Sequence, residues 1–464
     1  MPQRSLVLFM MTMIDAEGTV VRKSGDRIKS DIGRIHSDCF IEICRNGKRN
    51  VFVRNRKMPL NDLIFSMINR KGLTLKLELR NYMNISHPGC KISKPAYLKQ
   101  RMKLNPEAFV DLYQFHNKNF YSDPEAELYT YNGYLVLAVD GSDINIPTTP
   151  ETLERYGNAS KKGGKPCAQI GLGCLYDTLN RMILQADCNK VKFNEMAVAE
   201  SQIAKVRDTI GLDIPFMVTM DRGYPSTPSI MRMIDSGICF VARLKSTDYK
   251  AEQLSLASDD EDVEIQLTKS RRRHYIGSKD EDIVMSRDSF NLRMVRVWLD
   301  EKKTEFEILA TNLPRRQFPA ECFGELYHLR WNIETAYQTL KSRLQMENFT
   351  GTKPILLEQD IYSTIYVSNI AEDIARDIEQ EQKEHLQNDY KHRMAINRSL
   401  CIGLLKNDLI YILLEDNPQV QDELMQKLYD EISENIVPIR PERHYHRTKG
   451  QLAGDYSNTH KRCF

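Results

Sequence analysis

The chain has 464 residues, of which 41% are hydrophobic and 28% are charged. This length allows two to four domains, and the balance is ordinary for a soluble globular protein. The longest apolar run near the start, Leu6 to Ile14, is too short to cross a bilayer and lacks the flanks of a secretion signal. The ten cysteines form no Cys-x-x-Cys pair, so we expect no zinc knuckle. Because a secretion signal is not recognised, we expect reduced thiols in a cytoplasmic, membrane-free protein.

The formal net charge of +2 hides an uneven distribution. Residues 1–110 carry 21 Lys and Arg against 9 Asp and Glu, a balance of +12, which leaves −10 for the rest. A basic front end on an otherwise acidic chain indicates a region that contacts phosphate. A merely solvated surface explains the same composition equally well, so charge alone does not decide between the two.

The N-terminal region is interpreted as a small DNA-binding domain. Residues 1–50 favour short strands and loops, and Arg45 to Lys57 carries six basic residues and no acid. Helices are predicted behind an Asn61 cap, from Ser93 and from Asn105. Short helices with basic faces suit a helix-turn-helix-like module. The candidate DNA contacts of this region are Arg54, Arg56, Lys57, Arg101 and Lys103.

From Tyr131 onward the pattern changes to strands. An apolar strand from Tyr134 to Val139 ends in Asp140, and another from Pro215 to Met220 ends in Asp221. Two further strands and a helix are predicted between them, and a helix and a strand follow. This order predicts an α/β layer on a mixed sheet, the order expected for a ribonuclease-H-like core.

The remaining sequence divides by composition and periodicity. A polar, alternating stretch before residue 309 indicates a β-rich insertion, and residues 321–346 predict one long helix. The predicted domains are an N-terminal DNA-binding region at 1–125, the first part of the ribonuclease-H-like core at 126–245, the insertion at 246–308, the second part of the core at 309–350, a helical C-terminal region at 351–436 and a basic tail at 437–464.

Asp140 and Asp221 are the first candidates for chemistry. A carboxylate at the end of a hydrophobic strand is costly to bury unless a cation or hydrogen bonds satisfy it. A turn or a helix cap explains one such residue. Two of them on neighbouring strands favour a metal site, and hard oxygen ligands suit Mg²⁺ or Mn²⁺.

The helix near residue 330 offers a third carboxylate. At about 100° per residue, Tyr327, Arg330, Glu334 and Lys341 fall within about 60° of one another on one face. Glu334 can complete a metal site there, while the two cations and the phenol face a DNA backbone. An exposed helix with an Arg330–Glu334 salt bridge is the alternative. A separate apolar stripe on the same helix weakens that alternative.

This helix resembles the signature of the insertion-sequence-four family of bacterial DDE transposases. The signature spacing is Tyr-x2-Arg-x3-Glu-x6-Lys, and the whole stretch LYHLRWNIETAYQTLKSRLQMENFTG at 326–351 is similar to that family. Asp221-Arg-Gly-Tyr224 resembles the motif around the family's second Asp, and Val139-Asp140-Gly-Ser142 resembles the first. The similarity covers about residues 45–435.

The resemblance implies a ribonuclease-H-like core with a β insertion and two-metal nicking and transfer of DNA strands. Two Mg²⁺ ions, which Mn²⁺ can replace, would be held by Asp140, Asp221 and Glu334, with Asp140 bridging them. Arg330 and Lys341 would neutralise phosphates at the transposon end. The implied mechanism requires no covalent protein–DNA intermediate, so Tyr327 is not assigned as a nucleophile. It would contact the phosphate or the terminal nucleotide. The expected partners are the terminal inverted repeats, target DNA and a second copy of the chain.

Two aromatic residues are further candidates for DNA contact. Trp298, in a strand of the insertion, is expected to stack on a flipped base, with packing on the insertion's own sheet as the alternative. Tyr224 is either a core residue or a contact to the DNA end. Two rival functions stay open from the sequence: a metal nuclease that cuts without joining, and a catalytically silent DNA-binding protein derived from a transposon.

Overall fold

The structure is a computed structural model that describes residues 23–54, 56–124, 126–160, 163–300, 302–388 and 390–439. The first 22 residues and the predicted basic tail beyond Ile439 lie outside the described residues. The N-terminal region of the described chain is helical, with α1 (Lys23–His36), α2 (Asp38–Arg45), α3 (Leu60–Ile68), α4 (Leu75–Ser86), α5 (Lys94–Arg101) and α6 (Glu107–Ser122).

The first two helices correct the expectation of short strands and loops before residue 50. In α1 the buried face includes Ser24, Arg27 and Asp31. Polar side chains therefore interrupt the apolar periodicity by which an amphipathic helix is recognised in a sequence. The helices predicted near residues 61, 93 and 105 are confirmed as α3, α5 and α6, although Pro59 rather than Asn61 caps α3.

The centre of the molecule is one mixed sheet of eight strands in the described chain. Its strands are β1 (Leu135–Asn145), β2 (Gln169–Asp177), β3 (Ile183–Lys190), β4 (Phe216–Met220), β5 (Cys239–Arg243), β6 (Asp260–Gln266), β7 (Ser289–Trp298) and β8 (Phe306–Thr311). Between them lie α7 (Pro150–Tyr156), α8 (Glu195–Lys205), α9 (Arg207–Ile210), α10 (Thr227–Asp235), α11 (Lys250–Leu254), α12 (Lys269–Arg273) and α13 (Glu281–Met285).

The strand order is β3-β2-β1-β4-β5-β8-β7-β6. β1 pairs antiparallel with β2, and β2 with β3, whereas β1, β4 and β5 run parallel. This confirms the predicted succession of three strands followed by helix, strand, helix and strand. The fold is thus mixed α/β with a large mixed sheet, which is consistent with a ribonuclease-H-like core.

The insertion prolongs the core sheet. β6 pairs with β7, β7 with β8, and β8 with β5, all antiparallel. The expected return of the chain to the core around residues 305–310 is confirmed by β8. The insertion also contains three short helices, α11 before β6 and α12 and α13 between β6 and β7, so it is less purely β than its alternating sequence indicates.

The second half of the structure is helical. It comprises α14 (Phe323–His328), α15 (Asn332–Ser342), α16 (Pro354–Glu381), α17 (Lys383–Asn388), α18 (Arg398–Leu414) and α19 (Pro418–Ser433), with a small hairpin of β9 (Met394–Ile396) and β10 (Ile436–Pro438). α16 packs on α1, α3 and α6. The N-terminal helices therefore share one hydrophobic core with the C-terminal ones.

None of the helices in the described chain combines the length and apolar character needed to cross a membrane.

Candidate active site

Asp140 and Asp221 meet near the middle of the sheet. β1 and β4 are paired in parallel from Leu135 with Phe216 to Ala138 with Thr219. Each aspartate comes two residues after the last of these partners, so the register brings the two level with each other. Asp221 directly follows the end of β4, as predicted. Asp140 does not end its strand, because β1 continues along β2 with Asp140 opposite Cys174.

Helix α15 crosses β1 beside Asp140. The Tyr337 hydroxyl donates to the main-chain oxygen of Asp140 at 2.8 Å and lies 3.1 Å from that of Leu172. Further along, the Lys341 ammonium donates to the Ser142 hydroxyl at 2.8 Å and to the main-chain oxygen of Asp143 at 2.7 Å. These contacts fix the helix on the strand and bring Glu334, one turn before Tyr337, towards Asp140.

The helical stretch that carries Glu334 is not the single helix predicted. Short 3-10 turns at Ala320–Cys322 and Leu329–Trp331 flank α14, and α15 ends at Ser342. The predicted common face survives this interruption. The Arg330 guanidinium lies 3.4 Å from a Glu334 carboxylate oxygen and 5.8 Å from the centre of the Tyr327 ring.

The Asp140 carboxyl group is buried among like charges. Burial raises its pKa to about 6, and the charges of Glu334 and Asp221 add to this effect. The main-chain N–H of Gly141 and the charge of Arg330 oppose it without cancelling it. At neutral pH the site thus contains clustered negative charge that its own cation only partly compensates.

Arg330 is the cation at the centre of this cluster. The residue is 4% exposed, and its Nε has no hydrogen-bond partner among the described residues. Burial alone would lower its pKa, but Tyr327, Asp140, Glu334 and Asp221 raise it. Tyr327 is 6% exposed, and burial raises its pKa to about 12. Of the four signature residues, only Glu334 and Lys341 keep appreciable exposure.

A divalent cation fits the chemistry of this donor set. All three carboxylates offer hard oxygen atoms, and burial raises the pKa of Asp140, so a bound cation would stabilise its charged form. Among the described residues, however, no three His, Cys, Asp or Glu side chains are grouped tightly enough to hold an ion as they stand. The Asp221 carboxylate accepts a hydrogen bond from the Gly223 N–H, and Glu334 faces Arg330.

The structure corrects the prediction that Tyr224 contacts DNA. Tyr224 is 4% exposed, and its phenol lies beside the carboxylate of Glu195. Burial, with the charges of Asp140 and Glu195, raises the pKa of this phenol. Glu195 is a fourth acidic residue at the site, and the sequence reasoning missed it. The available signal was its place directly after Asn194, a residue type that often caps helices. In the structure the Asn194 side chain accepts a hydrogen bond from the Ala197 N–H.

Arg54, Arg56 and Lys103 line a common groove, which we call the basic groove. The groove also contains Asn50 and Gln100, and none of the described residues that line it is acidic. Lys57 is exposed next to it. Residues separated by about half of the N-terminal region are thus brought to one positively charged surface.

Arg101 does not belong to this surface, and its predicted DNA contact is wrong. It is 0% exposed, and its guanidinium donates to Thr350, Gln359, Asp360 and a main-chain oxygen. Four of its five N–H groups are used inside the protein, and its complete burial keeps it from a phosphate. The misassignment arose because basic character in a sequence does not distinguish a buried ion pair from an exposed cation.

Trp298 also departs from its predicted role. Its indole N–H donates to Asp259 at 2.8 Å, and its ring packs edge-to-face on Phe306 with centroids 5.4 Å apart. Arg296 and Lys303 lie over the same ring. The structure therefore supports the alternative, in which the tryptophan packs on the insertion's own sheet.

The sheet and its central carboxylates define an α/β enzyme with an acidic active site. Residues 131–370 match the family model described as the transposase DDE domain. The chain belongs to that family and is a DDE transposase, an enzyme that cleaves and transfers DNA strands. Its relatives place it in the insertion-sequence-four family, which confirms the resemblance of its motifs.

Two relatives illustrate this. The chain is 22% identical over 441 residues to the transposase InsG for insertion sequence element IS4 of Escherichia coli (strain K12), covering 91% of this chain and 92% of that protein. It is 23% identical over 255 residues to the transposase for insertion sequence element IS231C of Bacillus thuringiensis subsp. berliner, covering 46% and 52%.

Among solved structures, the chain is similar to a cryo-EM structure of the piggyBac transposase synaptic complex with hairpin DNA. The TM-score is 0.46 at 10% identity, with 86% of this chain and 84% of the other covered.

Proposed function

We propose that this transposase binds the terminal inverted repeats of its own insertion sequence, nicks the ends and transfers the 3′-hydroxyl to target DNA. It does so in the bacterial cytoplasm and as a homodimer across paired ends. The observation that carries the proposal is the convergence of Asp140, Asp221 and Glu334, since Asp140 within β1 and Asp221 after β4 lie level with each other and are joined by a third carboxylate from a crossing helix.

The three carboxylates hold two Mg²⁺ ions, for which Mn²⁺ can substitute. Such ions supply Lewis acidity that activates an attacking oxygen and stabilises the leaving one. Asp140, on which the charges of Glu334 and Asp221 both act, would be the ligand shared by the two ions.

The neighbouring cations serve the phosphate. Lys341 uses two of its three N–H donors on Ser142 and Asp143, which leaves one for a phosphate oxygen beside the strand. Arg330 partly balances the carboxylates and would stabilise negative charge on the scissile phosphate. Tyr327 supports Arg330 through its ring.

The basic groove binds the duplex away from the cleavage site. Arg54, Arg56 and Lys103 contact the phosphate backbone, with Lys57 beside them, because exposed cations on one surface without acidic neighbours attract a polyanion. Asn50 and Gln100 in the same groove offer neutral donors and acceptors to the sugar or the base edges.

The test combines the full chain, Mg²⁺, DNA carrying the ends of the element and a supercoiled target. We expect strand-transfer products from the wild type. Asp140→Ala, Asp221→Ala and Glu334→Gln should each abolish cleavage and retain end binding. Glu325→Gln is the matched control, because this exposed acid lies on the same helical stretch, nine residues before Glu334.

Two outcomes would contradict the proposal in different ways. Cleaved ends without joined products would replace transposition by nuclease activity. Undiminished cleavage by any of the three carboxylate variants would overturn the assignment of the cation ligands.

A further inference from the structure

Glu195 approaches the active site from the face opposite Glu334. In β1 the side chains of Leu137 and Val139 pack in the same core cluster as α8, whereas Ala138 packs with α15. Glu195 is the first residue of α8, and the charges of Asp221 and Asp143 act on its carboxylate. Asp140 and Asp221 are therefore flanked by one glutamate on each side of the sheet.

A glycine cradle brings α8 to this position. Gly141 pairs with Gly173 across β1 and β2, and Gly171 lies two residues away. A Cβ at Gly171 would come within 2.5 Å of the Phe193 ring, and one at Gly141 within 3.3 Å of it. The ring of Phe193 thus occupies the space of three missing side chains. The same Cβ at Gly141 would come within 3.1 Å of the Glu195 carboxylate.

Two further contacts hold the glutamate in place. Asn194 caps α8 and fixes where the helix begins. The phenol of the buried Tyr224, three residues after Asp221, lies beside the Glu195 carboxylate. A glutamate in a first helical turn is stabilised by the helix dipole. Stabilisation by the helix dipole requires neither the glycines of β1 and β2 nor the Tyr224 phenol, so it does not explain why these groups surround the carboxylate.

We infer that Glu195 supplies a fourth carboxylate to the divalent-cation site, and that Tyr224 is the positioning residue that aims it. The inference rests on the proposed function, since it needs cations at Asp140 and Asp221. Held against the Gly141 backbone and the Tyr224 phenol, the Glu195 carboxylate binds a cation or its water. More carboxylate ligands strengthen a site for a hard cation.

The experiment measures Mn²⁺ binding to the full chain by electron paramagnetic resonance, together with the Mg²⁺ concentration that gives half-maximal cleavage. Glu195→Gln keeps an acceptor for Tyr224 but removes the charge. We expect the Mn²⁺ dissociation constant and the Mg²⁺ concentration for half-maximal cleavage each to rise roughly 10- to 100-fold, the range typical for groups that support a metal site. Tyr224→Phe keeps the charge but frees the side chain, so it should shift both values in the same direction by less.

Glu200→Gln is the matched control, since Glu200 lies on the same helix and pairs with Arg232 away from the site. It should leave both values unchanged. Wild-type Mn²⁺ affinity and Mg²⁺ requirement in Glu195→Gln would overturn the inference. Asp140→Ala, assayed in parallel, separates the two failures. If it is inactive while Glu195→Gln is normal, only the fourth ligand is disproved, whereas an active Asp140→Ala disproves the proposed function itself.

Discussion

Two buried carboxylates in this molecule have opposite surroundings. In the helical part, burial alone would raise the pKa of Asp373, yet the charges of Arg27 and His116 and hydrogen bonds from Arg27 hold it at about 2. At the active site, burial raises the pKa of Asp140 to about 6, and Arg330 does not reverse this. A carboxylate with enough cationic partners stabilises the fold, whereas one left with a surplus of negative charge is prepared for a cation.

The paired carboxylates also join distant parts of the chain. Arg27 donates two hydrogen bonds to Asp373, at 2.7 and 2.6 Å, and so ties α1 to α16. Arg101 donates to Asp360 at 2.8 Å and ties α5 to the same helix. The charged network of the helical part is thus a set of clamps that hold the N-terminal and C-terminal helices around one core.

The largest expected effect comes from breaking one of these clamps. Arg101→Ala leaves Asp360, which is fully buried, without one of its two arginine partners. We expect the free energy of unfolding to fall by about 3–5 kcal/mol, as when one member of a buried ion pair is removed. Urea unfolding followed by helical circular dichroism measures the loss.

The control for this variant is Arg54→Ala, because Arg54 is exposed in the basic groove. Its unfolding free energy should change by no more than about 0.5 kcal/mol. Equal stability of Arg101→Ala and the wild type would mean that the clamp is not what joins the two helical regions.

A smaller effect of opposite sign is expected at the active site. The pKa of Asp140 rises from 3.8 to about 6 on folding. A raised folded-state pKa means that the folded protein holds the proton more tightly, so stability falls as pH rises from about 4 to 6 and stays low above. Asp140→Asn removes the charge. Without divalent cations it should be more stable than the wild type by about 2–3 kcal/mol at pH 8.

The pH dependence is the sharper part of this prediction. At pH 4 the wild-type carboxyl group is largely protonated, so the advantage of Asp140→Asn should nearly vanish. Added Mg²⁺ should stabilise the wild type and not the variant. Thermal unfolding at pH 4 and pH 8 measures both effects. If Asp140→Asn were stabilised equally at both pH values, the ionised Asp140 carboxylate would not be what destabilises the folded wild type.

The sequence predicted the core of this fold better than its periphery. Strands with uninterrupted apolar runs, such as those before Asp140 and Asp221, identify themselves, and their order predicts the sheet. α1 was missed because Arg27 and Asp31 sit on its buried face. Their partners lie more than 80 residues away in the chain, and local periodicity contains no information about them.

The active site was predictable to the extent that it lies on regular spacing. The face shared by Arg330 and Glu334 follows from helical geometry alone. Glu195 does not, because its place depends on Phe193 filling a cradle of glycines on two other strands. The roles of Arg101 and Trp298 were misread for a related reason. Whether a cation or an indole is exposed depends on tertiary partners, here Asp360 and Asp259.

The smallest expected effect separates two basic residues that are two positions apart. Lys103 lines the basic groove, whereas Arg101 is buried behind it. Lys103→Ala should leave stability within about 0.5 kcal/mol of the wild type. It should also flatten the dependence of end binding on salt, with the slope of log affinity against log salt falling by about 0.9, the value for one lost phosphate contact.

Fluorescence anisotropy with labelled terminal DNA, repeated at several salt concentrations, measures this slope. Lys99→Ala is the control, because Lys99 is exposed on α5, four residues before Lys103, but does not line the groove. Its slope should match that of the wild type. If Lys99→Ala and Lys103→Ala flatten the slope equally, the DNA follows the outer face of α5 rather than the groove. The difference between Lys103 and Arg101 would then reflect only that Arg101 is buried, and it would not show where the duplex binds.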